Sequence, residues 1–285
     1  MRSTYEDVVM DDGVTLRTAR FEPDAGPGDV IQFVHGFGEH IGMYEPLAQF
    51  FTDHGYAFVI HDQRGHGSMP DKTPAQRAKA LGVVPSYFRF LEDITTVRGR
   101  IDDWYGAPRV ILAGLSMGGN IVANYLERIP EPRYERAIVE SPWLRLAKPM
   151  PGALTVVARA VGAITPSVAV ASGLNLDAVT RDPVETAKLK ADPYYHGRIS
   201  MRLYAQILDA GEYAIAHAAD IKLPTLLMAG TDDQIVSAAA IRQLAAGARD
   251  NVKLREYEGG FHCLHYDTCS PQVQADMLAF CDAHA

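Results

Sequence analysis

Short, almost wholly apolar runs recur along this chain, separated by longer stretches in which apolar residues return every three or four positions. Such runs fall at 30–34, 109–113 and 224–230, the second meeting Gly114 and the third ending in Gly230, and further strands are read at 135–140 and 252–257. A strand covered on both faces has no polar side to present, so runs of this kind predict buried parallel strands. Helical spacing is clearest at 120–128, where Ile121, Val122, Tyr125 and Leu126 share one face and Pro130 closes the element. A second helical stretch is expected at 237–248. The leading segments 5–9 and 14–21, joined at Asp11-Asp12-Gly13, read as a hairpin. Because strand and helix signals alternate from Val30 onward, one α/β domain over 1–285 is expected, with a doubly wound, mostly parallel sheet and an N-terminal antiparallel hairpin. The alternation breaks between Ser141 and about Ala219, which predicts an insertion over about 142–219. Within it, 153–171 is rich in Ala and Val, but Arg159 and Pro166 interrupt it and it is too short to span a bilayer.

The chemistry concentrates where the run at 109–113 meets the helix after it. The sequence there is Gly114-Leu-Ser-Met-Gly118, with glycines two residues either side of Ser116. A strand passes directly into a helix only through a sharp turn, and side chains at the flanking positions would collide inside it. Such a turn pushes the Ser116 hydroxyl out at the top of a sheet and leaves the Met117 N–H at a helix N-terminus, free to face an oxyanion. A serine hydroxyl is a weak nucleophile near neutral pH and needs a base, which in turn needs an orienting acid. The run at 224–230 is followed by Thr-Asp-Asp-Gln, and the run at 252–257 by Glu258-Gly-Gly-Phe-His-Cys-Leu-His265. Both loops lie past the carboxyl ends of strands, at the edge where Ser116 sits. Asp232 and Asp233 both qualify as the acid, with Asp233 farther into the loop. His262 follows the flexible Gly259-Gly260 pair and is the better base. His262 and His265 lack the glutamate and third ligand of a zinc motif, so no metal is expected. A second oxyanion donor is expected from Phe37 in His35-Gly-Phe-Gly38, which lacks the third glycine of a dinucleotide loop.

Four segments together, His35-Gly-Phe-Gly-Glu-His40, His61-Asp-Gln-Arg-Gly-His-Gly-Ser68, Gly114-Leu-Ser-Met-Gly-Gly119 and Glu258-Gly-Gly-Phe-His-Cys-Leu-His265, resemble the monoacylglycerol lipase and lysophospholipase branch of the α/β-hydrolases, over nearly the whole chain. The resemblance implies an α/β-hydrolase fold with a helical cap at 142–219. It also implies a triad of Ser116, Asp233 and His262, and oxyanion donors at Phe37 and Met117. No cofactor is needed. Glu39 and His265 become contacts for the polar end of a substrate, and the 62–67 segment a structural turn. The chain departs from the pattern at Met43, where many monoacylglycerol lipases carry an arginine, and at Cys263, which reads as a small buried apolar residue. Apolar cap residues including Met150, Leu154 and Val157 either line an acyl channel, pack the cap on the body, or meet lipid at an interface.

Net charge is −8 with scattered basic residues, which argues against nucleic acid as a partner. The first ten residues are not a signal sequence, and the three cysteines lack framework spacing, so a reduced cytoplasm is expected, with peripheral membrane contact through the cap left open. The expected activity is hydrolysis of a single-chain carboxylic ester, a monoacylglycerol first, through an acyl-enzyme on Ser116. Lysophospholipase, carboxylesterase and thioesterase activities are alternatives on the same triad; a non-catalytic ligand binder is the remote one. A phosphate or choline headgroup would need placed charges that the sequence does not locate.

Overall fold

The computed structural model describes residues 1–26, 28–149 and 152–283. In chain order the elements are β1 (Arg2–Val9), β2 (Thr15–Glu22), β3 (Val30–Val34), α1 (Glu45–Asp53), β4 (Ala57–His61), α2 (Pro74–Ala80), α3 (Phe88–Tyr105), β5 (Val110–Leu115), α4 (Met117–Arg128), β6 (Arg136–Glu140), α5 (Gly152–Ile164), β7 (Ala169–Ala171), α6 (Pro183–Ala191), β8 (Arg198–Ser200), α7 (Met201–His217), β9 (Thr225–Gly230), α8 (Ala238–Gly247), β10 (Val252–Tyr257) and α9 (Ser270–Asp282). Eight of the strands form a mostly parallel sheet. The apolar runs read from the sequence are strands to within a residue or two, and β1 and β2 form the expected antiparallel hairpin.

The chain divides into two compact units, each assembled from separate stretches of sequence. One comprises 1–108, 150–174 and 194–209. In it β2 pairs antiparallel with β4, β4 runs parallel to β3, and β7 and β8 make a small antiparallel pair. Its core includes Phe21, Phe33, Phe51 and Phe58, all buried, with Phe33 stacked on Phe58. The His61–Ser68 segment is a structural turn, as the resemblance implied. Arg64 forks onto Asp93 and Asp12, and Asp62 accepts amide hydrogen bonds from Ile41 and Ser68.

The other unit comprises 109–149, 175–193 and 210–285. Here β5, β6, β9 and β10 lie side by side and all parallel. The register sets Leu115 beside Glu140, Glu140 beside Met228, and Gly230 beside Tyr257, so the four strands end along a common edge. Helix α4 is buried along all of Met117–Leu126, broader than the single face its spacing predicts. Its small residues explain this: a Cβ on Gly119 would stand 2.9 Å from the Glu140 carbonyl oxygen, so the helix lies against the β6 backbone itself.

Candidate active site

Ser116 sits between β5 and α4 with φ of 58°, the left-handed region that non-glycine residues rarely adopt. The strain is held in place from several sides. The Ser116 N–H donates to the Glu140 carbonyl at 3.0 Å, and its own carbonyl accepts from Asn120 and Trp143, each at 2.9 Å. A Cβ on Gly114 would come within 2.7 Å of the Gly118 carbonyl oxygen, which is why the turn needs glycine there. Met117 begins α4, its side chain buried.

The turn after β9 and the loop after β10 are knitted together. Thr231 donates its N–H to the Tyr257 carbonyl at 3.0 Å, and Asp232 donates its own to Gly260 at 3.1 Å. A Cβ on Gly230 would meet the Gly260 oxygen at 2.3 Å. This contact brings Asp233 to His262, with Oδ2 2.8 Å from the ring Nδ1. Asp233 Oδ1 accepts the N–H groups of Ile235 at 2.7 Å and Val236 at 2.9 Å, so both carboxylate oxygens are engaged and the side chain is 1% exposed. Asp232 is exposed. A carboxylate fixed in this way holds an imidazole in one tautomer and stabilises it when it takes a proton.

The His265 ring, expected from the resemblance to touch the polar end of a substrate, is buried, with Nδ1 2.7 Å from Glu140 Oε2, and its N–H donates to Glu140 Oε1 at 3.2 Å. Glu39 is also buried, and its Oε2 accepts from Gly36 N–H at 2.6 Å and from the Tyr44 hydroxyl, bracing its own loop. Phe37 stands in that loop after β3, its ring edge-on to His66 and His196. Met150 lies outside the described residues, as do the side chains of Leu154 and Val157 in α5.

Glu140, Cys263 and His265 place an oxygen, a sulfur and a nitrogen within 4.8 Å of one another. The thiol lies 3.7 Å from one ring nitrogen and 4.0 Å from the other.

Sequence reasoning passed over Asp267, which organises the base loop. It accepts the N–H groups of Phe261, Arg181 and Thr268, and its partner across the loop is the Arg181 Nε, 2.9 Å from Oδ2. Burial pushes this carboxyl up, but those amides and the guanidinium win and hold it below its ordinary value. Arg181 and Phe261, the residue before His262, line a cleft of about 530 Å³ with Thr180, Thr186 and Lys190. The insertion expected at 142–219 thus reaches the base loop through 179–181, since Cys263 also donates its N–H to Val179 at 2.8 Å. Trp143, at the other end of the insertion, reaches the Ser116 turn.

Parallel strands that deliver a strained serine, an acid turn and a histidine loop to one edge define an α/β-hydrolase. Residues 25–269 match the model of the serine aminopeptidase, S33, family, and the chain belongs to that family. It is 30% identical over 275 residues to a monoacylglycerol lipase of Mycolicibacterium smegmatis, covering 95% of this chain and 94% of that one. It is 28% identical over 265 residues to phospholipase YtpA of Bacillus subtilis, covering 90% and 96%. The crystal structure of Paleococcus ferrophilus monoacylglycerol lipase superposes with a TM-score of 0.81 at 27% identity, over 93% of this chain and 97% of that one. The protein is an ester hydrolase.

Proposed function

We propose that this enzyme hydrolyses single-chain carboxylic esters, monoacylglycerols foremost, through an acyl-enzyme on Ser116. The observation that carries the reading is the Asp233–His262 contact of 2.8 Å at the strand edge that also holds the strained Ser116 turn. In this mechanism His262 takes the Ser116 proton as the hydroxyl oxygen attacks the acyl carbonyl, and returns it to the leaving glycerol oxygen. Water, deprotonated by the same imidazole, then releases the fatty acid and regenerates Ser116. The amides of Phe37 and Met117 receive the oxyanion, each worth about 3 kcal/mol. These steps balance without a metal or organic cofactor. Residues of the 142–219 insertion line the acyl channel, and the exposed Val156, Val161 and Ile164 on α5 support a peripheral contact with lipid.

A lysophospholipid is the second reading, favoured by the Arg181 cleft beside the base loop, which supplies a cation for a phosphate. The kinship with phospholipase YtpA points the same way. The test is a hydrolysis panel of monoacylglycerols, lysophospholipids, p-nitrophenyl esters and acyl thioesters at matched chain lengths, with fluorophosphonate labelling of Ser116. Preference for monoacylglycerols, unchanged in Arg181→Ala, supports the first reading. Preference for lysophospholipids, lost in Arg181→Ala, supports the second. No labelling and no ester turnover would refute both.

A further inference from the structure

Residues 140–143, at the end of β6, close around the nucleophile from its backbone side. The Glu140 carbonyl accepts the Ser116 N–H at 3.0 Å, and Trp143 donates its N–H to the Ser116 carbonyl at 2.9 Å. Asn120, one turn into α4, donates its side-chain amide to the Trp143 carbonyl at 2.8 Å and locks the bracket. The side chain of Glu140 points to a different loop. One carboxylate oxygen accepts the His265 N–H at 3.2 Å, and the other lies 2.7 Å from its ring Nδ1. Both side chains are buried, 1% and 0% exposed.

Glu140 therefore holds the Ser116 turn with its main chain and the 262–265 turn with its side chain. Two hydrogen bonds to one residue, from the main chain and from the ring, restrict both the position and the rotation of that turn. Asp233 does a different job. Its amide-fixed carboxylate sets the tautomer and tilt of the His262 ring, whereas nothing in that contact fixes how far the base stands from the nucleophile. We propose that Glu140 is a positioning residue that sets the His262 loop relative to Ser116, acting through His265. The proposal rests on the triad reading above. A misplacement of about 1 Å at a reacting group can cost about a hundredfold in rate, which makes such a tether matter to kcat rather than to binding.

The experiment compares the parent with Glu140→Gln, His265→Asn and the double variant. It reads kcat and KM on p-nitrophenyl butyrate, the rate of fluorophosphonate labelling, and the thermal midpoint. Glutamine keeps the shape and one acceptor but turns an N–H₂ toward one of the two His265 N–H groups. Each single variant is expected to lose about 10- to 100-fold in kcat and in labelling rate, with KM within about twofold. The double variant is expected to be no worse than the poorer single, because both cut the same link. A fall in thermal midpoint with kcat per folded molecule unchanged would make the pair a core brace only and overturn the proposal. Losses that multiply in the double variant, or both singles failing to fold, would overturn it equally. A parent protein that neither turns over ester nor takes the probe would defeat the triad reading itself, and the role of Glu140 would fall with it.

Discussion

Four buried histidines are expected to draw stability from this enzyme as pH falls, and a buried glutamate to mask part of the loss. His35, His61, His66 and His196 are all buried, with the His66 and His196 ring centroids 4.8 Å apart and those of His35 and His66 5.5 Å apart. Burial drives His35 down to about 3 and His61 and His196 to about 4, and holds His66 well below its ordinary value. The folded protein thus keeps all four neutral at pH 5.5, while the unfolded chain protonates them below about 6.5. The unfolded state then binds more protons, so their contribution is intact above that pH and shrinks as pH falls toward the folded values. At pH 5.5 each costs about 1.4 kcal/mol, and the four lose about 5 kcal/mol relative to pH 7.5. That is a large share of a typical stability of about 5–15 kcal/mol. Glu127 acts in the opposite sense. Its carboxyl oxygens are buried without a hydrogen-bond partner, and burial pushes it up to about 9, so acidification over the same window returns at most about 3 kcal/mol. Asp93, pushed up to about 6 by burial against the pull of Arg64, returns under about 1 kcal/mol. Urea unfolding followed by Trp104 and Trp143 fluorescence at pH 7.5 and 5.5, in a Glu127→Gln background, should therefore show a loss of about 4–5 kcal/mol. A stability flat or rising toward pH 5.5 in that background would refute the reasoning.

Ser116→Ala should abolish ester hydrolysis while the protein still unfolds at the parent's urea midpoint; residual activity within about tenfold of the parent would remove Ser116 from the chemistry. Asp233→Asn should cost about 10³-fold or more in kcat, whereas Asp232→Asn, altering an exposed side chain, should stay within a few-fold; the reverse order would move the acid by one residue. Gly114→Ala places a methyl 2.7 Å from the Gly118 oxygen and should cost about 1–3 kcal/mol in thermal or urea unfolding together with most of the activity. Catalytic efficiency on glycerol esters should climb with acyl length and then level off, since each methylene removed from water gains about 0.8 kcal/mol; a flat profile would argue against an apolar acyl channel.

The sheet was legible because most of its parallel strands, such as Val30–Val34 and Thr225–Gly230, are apolar and buried on both faces. The start of α4 was less so. The spacing put helix only at 120–128, yet Met117-Gly-Gly119 is its first turn, and the small residues there let the helix rest on β6. Asp233 rather than Asp232 is the carboxylate 2.8 Å from His262, a distinction that spacing alone could not make. Glu140 escaped notice as the last residue of an apolar run, where its neighbours announce a strand. A carboxylate ending a buried strand was the available signal, but its partner His265 is 125 residues away. The same distance hid a tertiary contact of His265, for which the motif offered only a headgroup role. Which histidines would be buried together depended on long-range packing that no local pattern carries.

The interleaving of the two compact units has a consequence for the order in which the enzyme comes alive on the ribosome. The unit that carries Ser116 also needs 175–193 and everything from 210 onward, so β5 and β6 emerge long before their neighbours β9 and β10. At about 5–20 residues per second, the roughly 150 residues between the nucleophile and His262 take on the order of 10 s to synthesise. On the triad reading above, the serine turn lacks its base throughout that interval, and its acid, Asp233, arrives only in the later part of it. On that reading, a chain stalled or clipped before β10 carries an inert hydroxyl, and competence waits for the loop that follows the last parallel strand.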